Sequence, residues 1–165
     1  MQTLCIIGLG NELREDDGVG LAVLRRLKKA FPGRAAVRIP VRDQLFEIPR
    51  LIMNYSKVIL IDAAPPDSFP GKVSDIRYRV DRWPASDSYS LHDLDILWQL
   101  RYAYRAGFTG EILMIGIEAA SLSCRKGLSP ELQRSLPGAV ETVKRMIARF
   151  DPDFKLAAGT LEELR

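Results

Sequence analysis

Leu4-Cys5-Ile6-Ile7-Gly8 is a run of apolar residues closed by glycine, and Val58-Ile59-Leu60-Ile61 repeats the pattern and closes on Asp62. Ile112-Leu113-Met114-Ile115-Gly116-Ile117, closing on Glu118, is a further such run. Solid apolar runs of this length read as strands buried on both faces, as in a parallel sheet. After the first run, Leu21, Leu24, Leu27 and Phe31 recur at helical spacing, while Arg25, Arg26, Lys28 and Lys29 gather elsewhere on the turn. Pro32-Gly33 stops that helix. Strands alternating with amphipathic helices imply an α/β fold with a mainly parallel sheet covered on both faces.

The remaining segments fit that frame. Ala35 to Pro40 reads as a second strand, and Leu45 to Tyr55 as a short helix with Pro49 near its first turn. The strand at Val58 should be central. Pro65, Pro66 and Pro70 mark Ala63 to Gly71 as a fixed loop, and Val73 to Val80 reads as an outer strand. Ser90-Leu91-His92-Asp93 has the form of a capping box, so a helix with Leu91, Leu94, Leu97 and Leu100 as its stripe starts with His92 in the first turn. Ser129-Pro130-Glu131 caps a short helical piece, and Pro137 restarts the helix with Val140, Val143, Ile147 and Phe150 facing the core. Residues 1–150 read as one domain and 151–165 as a loosely ordered tail.

With 165 residues, 47% of them hydrophobic and 27% charged, the chain can bury one real core. Its 24 basic and 21 acidic residues are spread along the sequence, so the net charge of +3 describes a mixed solvated surface and gives no reason to expect nucleic acid as a partner. Cys5 and Cys124 show no C-x-x-C spacing, which argues against a zinc knuckle or disulfide framework and suits a reducing cytoplasm. No stretch approaches the ~20 apolar residues of a membrane span, and the opening residues are too short for a signal sequence. The expectation is a soluble, cytoplasmic monomer with no membrane partner.

The chemistry gathers at one sheet edge. Gly8-Leu9-Gly10-Asn11 leads through Glu12 to Glu15 into Asp16-Asp17-Gly18-Val19-Gly20 after the first strand. Asp62 ends the third strand and His92 follows the fourth. Ligands of open α/β sheets bind at the carboxyl ends of the strands, so these residues should line one edge. His92 is the only histidine, and a first-turn imidazole beside a positive helix end favours its neutral, metal-binding form. Two carboxylates with one imidazole suit nickel or zinc better than calcium. Either aspartate after the loop could instead cap backbone amides, and Asp62 could merely cap the proline-rich loop. If Asp16 turns inward to the amides of its own loop, Asp17 is left to face the cleft.

Rival chemistries fit less well. A dinucleotide fingerprint needs a third glycine where Leu13 stands, and Glu12, Glu15, Asp16 and Asp17 would repel pyrophosphate. Cys124 with His92 offers a thiol dyad and Ser121 or Ser123 a hydroxyl nucleophile, but there is no nucleophile elbow around them.

Taken together, the Gly8 to Gly20 segment, Ile61-Asp62-Ala63, Ser90-Leu91-His92-Asp93 and Ile117-Glu118 before Leu128-Ser129-Pro130 resemble the hydrogenase maturation proteases, in order and spacing from Leu4 to Phe150. The resemblance implies a three-layer α/β/α fold of phosphorylase/hydrolase-like type, with about five strands. It implies an endopeptidase, of the kind grouped with aspartyl-type peptidases, that removes a C-terminal peptide from the large-subunit precursor of nickel-iron hydrogenase once nickel is inserted. The family's metal-ligand positions, which are also its catalytic positions, fall on Asp17, Asp62 and His92. Nickel would then arrive with the precursor, held by its cysteines, and other divalent metals could substitute. Asp16 and Glu118 are candidates for supporting roles, and the water that cuts the peptide is activated by a carboxylate or by a polarising metal. Many members carry an Asp-Gly-Thr type loop where this chain has Val41-Arg42-Asp43-Gln44-Leu45, the form of another branch, which makes that loop a candidate for precursor choice. The glycines of the first segment read as room for the substrate's metal centre to come close. Two other functions use the same residues: a non-catalytic nickel-binding chaperone, and a metal-dependent hydrolase of small substrates.

Overall fold

The computed structural model describes residues 2–30, 36–39, 46–78 and 91–152. In chain order they form β1 (Gln2–Leu9), a 3-10 turn (Glu15–Gly18), α1 (Val19–Ala30), β2 (Ala36–Ile39), α2 (Ile48–Ile52), β3 (Tyr55–Ala64), β4 (Val73–Tyr78), α3 (Leu91–Arg105), β5 (Glu111–Glu118) and α4 (Pro130–Phe150). The sheet has five strands in the order β2-β1-β3-β5-β4. β2, β1, β3 and β5 run parallel, and β4 lies antiparallel on the edge beside β5. β3 is the central strand, as its apolar run requires.

Alternate residues of the buried strands feed two cores. Ile6, Ile59, Ile61, Leu113 and Ile115 pack under α1 and α4, with Leu24, Leu136, Val143 and Ile147 among the helical residues they meet. Cys5, Ile7, Val58, Leu60 and Ile112 face the other way, against Ile48 and Ile52 of α2 and Ile96, Leu97 and Leu100 of α3. The result is the expected three-layer sandwich, because a strand apolar on both faces needs cover on both.

Four details depart from the expected pattern. Pro137 does not restart a helix; it lies inside one continuous helix, α4. Proline there removes one bond to the carbonyl of Gln133, on the exposed side, whereas Leu132, Leu136, Ala139, Val140 and Val143 form an unbroken buried stripe that holds both halves in line. The short helix is only Ile48–Ile52, and Tyr55 already belongs to β3. Asp62 sits in β3 with two strand residues after it. The antiparallel β4 ends at Tyr78 opposite Ile112, so its carboxyl end lies at the edge away from Asp62. Phe31 to Ala35, Pro40, the Val41 to Leu45 loop, Val80, Ser90 and the tail from Asp153 lie outside the described residues.

Gly20 fixes how α1 meets the sheet. A Cβ at this position would stand 2.2 Å from the Ile61 carbonyl oxygen and 2.5 Å from that of Leu9, so the helix start rests directly on the backbone where β1 and β3 part. Gly20→Ala should therefore cost about 1–3 kcal/mol, the usual range for overpacking a tight contact. Urea unfolding of the variant measures it, and a cost below a few tenths would mean that α1 is free to lift.

Candidate functional site

β1 pairs with β3 as far as Gly8 opposite Ile61, and β3 pairs with β5 as far as Ala64 opposite Glu118. At Asp62, then, the ladder has ended on the β1 side and continues on the β5 side. The crevice between β1 and β3 is also where the connections diverge, since the chain leaves β1 for β2 on one flank and β3 for β4 on the other. Such switch points are where open α/β sheets bind ligands.

Asp17 comes from the turn after β1 and Asp62 from β3, so adjacent strands deliver both to this crevice. Both are half-buried. Asp17 Oδ2 accepts the Asn11 N–H at 3.1 Å, and Asp62 Oδ1 accepts the N–H of Ala63 at 2.8 Å. Local bonds of this kind orient a carboxylate. His92 is the second residue of α3. The last turn of α3 adjoins the start of β5, where Ala103 accepts the Phe108 N–H and Tyr104 Oη donates to the Gly110 carbonyl. Lying along the sheet from there, about 22 Å of helix carries its first turn back to the carboxyl edge. The first turn of α3, and with it His92 in the chain, thus belongs to the layer opposite α1, although the strand before it ends at the other edge.

Asp16 behaves differently from Asp17, as adjacent residues on one turn must, but it does not cap its own loop. It is fully buried, and it accepts the N–H groups of Ala120 (2.9 Å) and Ser121 (3.0 Å) and the Ser129 hydroxyl (2.7 Å) on Oδ2, and the Ser129 N–H (2.7 Å) on Oδ1. Ser129 in turn caps α4 through the Leu132 N–H at 3.2 Å. One carboxylate therefore ties the β1 loop, the β5 loop and the α4 cap together. Glu118, also buried, does the same for the loop after β3: its Oε1 accepts the N–H groups of Asp67 (3.0 Å) and Phe69 (2.6 Å), and its carbonyl accepts that of Gly71 at 2.7 Å. Both carboxylates tie together loops at the carboxyl ends of the strands.

Glu15 was not legible as a functional candidate. It is buried with a left-handed φ of 47°, accepts the Ser121 hydroxyl at 2.5 Å and pairs with Arg125 at 3.5 Å. Ser121 is thereby engaged in holding the loop, with Ser123 Oγ 2.9 Å away. The glycines are committed too: Gly10 has a φ of 128°, and a Cβ there would stand 1.8 Å from the Asp17 carbonyl. Gly10 and Gly20 make room for the protein's own backbone.

Burial pushes the Cys5 thiol from its ordinary 9.0 up to about 12. Cys5 stays protonated in the folded protein while the unfolded chain releases that proton, so this thiol lowers stability progressively as pH rises from 9 toward 12. Cys124 is exposed. An aromatic disulfide reagent should titrate one thiol at pH 8 in buffer and two in urea; two fast thiols in buffer would contradict the burial of Cys5.

Among the described residues no helix is long and apolar enough to cross a membrane. The family model described as Hydrogenase maturation protease matches residues 44–146, a span that contains Asp62 and His92. A Methanocaldococcus jannaschii protein bearing a hydrogenase maturation protease name is 27% identical over 147 residues, 85% of this chain and 93% of its own. The HybD hydrogenase maturation protease of Thermococcus kodakarensis superposes with a TM-score of 0.70 at 26% identity, covering 88% of this chain and 99% of that one. The hydrogenase-maturating endopeptidase HybD of E. coli also superposes with a TM-score of 0.70, at 21% identity over 90% of this chain and 93% of that one, a likeness of fold. With the family's match spanning most of the sequence and the three-layer fold in place, the chain belongs to the hydrogenase maturation proteases, endopeptidases that act in the assembly of hydrogenase.

Proposed function

We propose that this protein removes the C-terminal extension of a nickel-loaded [NiFe] hydrogenase large-subunit precursor, and that Asp17, Asp62 and His92 engage the nickel the precursor carries. The observation that carries the reading is the delivery of Asp17 and Asp62 by adjacent strands to the β1/β3 switch point, each half-buried and held by a local hydrogen bond. Oxygen donors with an imidazole are a donor set that nickel accepts, and a partly hydrated rim suits an ion that arrives on another protein. Nickel is thus part of the substrate, and other divalent ions of similar preference could stand in for it.

Asp17, Asp62 and His92 orient the loaded segment so that the scissile bond meets water in the crevice. Hydrolysis adds that water across one peptide bond, its oxygen going to the carbonyl carbon and a proton to the departing amine. The protein acts as a cytoplasmic monomer, a setting that suits two free cysteines. Incubating the protein with precursor prepared with and without nickel, and weighing the product by mass spectrometry, tests the reading. Loss of a C-terminal peptide from the loaded form alone is expected. Binding without shortening would leave a chaperone, and cleavage of small model amides without precursor would leave a general hydrolase.

A further inference from the structure

Between α1 and α4 lies an open cavity of about 400 Å³. Ala22, Leu128 and Leu136 give it an aliphatic lining, and Glu12, Glu15, Arg25 and Arg26 give it charge. Most of that charge is internally cancelled. Glu12 accepts a hydrogen bond from Arg25, and Glu15 pairs with Arg125 at 3.5 Å. Arg26 is exposed and has no carboxylate partner among the described residues. One uncompensated guanidinium therefore stands beside an apolar hollow whose volume falls in the ~300–1,000 Å³ range of small-ligand sites. That combination selects an anion joined to an apolar group.

The cavity shares a wall with the crevice. Glu15 and Gly18 line it, whereas Asp17, which stands between them in the same turn, does not. Glu15 keeps a left-handed backbone that a non-glycine residue holds only where its surroundings over-determine it. The 3-10 turn is thus a rigid partition, with the candidate nickel-facing carboxylate on one side and this cavity on the other.

We infer that the cavity is a subsite for a peptide carboxylate beside an apolar side chain, and that it receives the carboxyl end of the precursor's extension. Arg26 takes the carboxylate, and Ala22, Leu128 and Leu136 take the side chain. The inference rests on the proposed function, which supplies a substrate that ends in such a group.

The test compares wild type and Arg26→Glu on loaded precursor with a free or an amidated C-terminus. Arg26→Glu should raise KM for the free-carboxylate precursor about tenfold with little change in kcat, the scale of reversing one exposed charge contact. On the amidated precursor the two proteins should match. Unchanged KM for Arg26→Glu on the free form would overturn the subsite. An effect that survives amidation but vanishes when an acidic side chain of the extension is neutralised would overturn the chain-end assignment. A separate measurement needs no cleavage: N-acetyl-leucine, but not its amide, should shift the backbone amide signals of Ala22, Arg26 and Gly127. Absence of processing by wild type would reject the proposed function, and these shifts would still decide whether the cavity binds a carboxylate.

Discussion

Asp17→Ala is expected to lower precursor cleavage by about a thousandfold, the scale on which one group acting at the reacting centre is felt. Stability should barely change. The folded protein loses one bond from the Asn11 N–H to a half-buried carboxylate, worth about 1 kcal/mol, or roughly 2–4 °C in Tm for a chain of this size. Asp62→Asn sharpens the experiment because it keeps the shape of the side chain and removes only its charge. The amide oxygen can still accept the Ala63 N–H, so Asp62→Asn should fold like wild type and fail to process. His92→Ala should fail in the same way. Initial rates on nickel-loaded precursor, with thermal unfolding of each variant, measure both halves of the expectation. Normal processing by any of the three would remove that residue from the assignment.

Which parts of the fold are legible in sequence, and which are not, is a matter of range. β1, β3 and β5 announce themselves through local composition, since a strand buried on both faces must be apolar at every position. The sheet edge at which Asp17 and Asp62 meet follows from strand direction alone. The direction of β4 does not, because an edge strand satisfies its ladder on one side in either orientation, and that misplaced the strand before His92. Pro137 misled for a similar reason: its local cost is real, but a buried stripe on the far face of α4 outweighs it. The partners of Asp16 lie more than 100 residues away, at Ala120, Ser121 and Ser129, so no nearby pattern could disclose them. Glu15 is opaque on the same ground, because its left-handed backbone depends on contacts with Ser121 and Arg125.

Asp16→Ala should do the opposite of Asp17→Ala and remove stability first. It leaves the N–H groups of Ala120, Ser121 and Ser129 and the Ser129 hydroxyl without their acceptor, in a place with no exposure to water at the carboxylate. Breaking such a charged, buried network costs about 3–5 kcal/mol, a large part of the 5–15 kcal/mol that holds a typical domain folded. Asp16→Asn should lose less than alanine. Its single oxygen can keep the three donors on the Oδ2 side, while its amide nitrogen is set against the Ser129 N–H. Ser129→Ala removes one of the same bonds, the hydroxyl to Asp16, together with the cap on Leu132 N–H, so its cost should be less than additive with Asp16→Ala. Urea unfolding of the three single variants and of the Asp16→Ala, Ser129→Ala double variant supplies the values. Activity then separates the neighbours, because cleavage lost by Asp16→Ala should return with the folded fraction on cooling or with a stabilising osmolyte, whereas cleavage lost by Asp17→Ala should not return. If Asp16→Ala unfolded like wild type yet cleaved nothing, Asp16 would belong to the chemistry, and the division between an aspartate that builds the turn and one that uses it would fall.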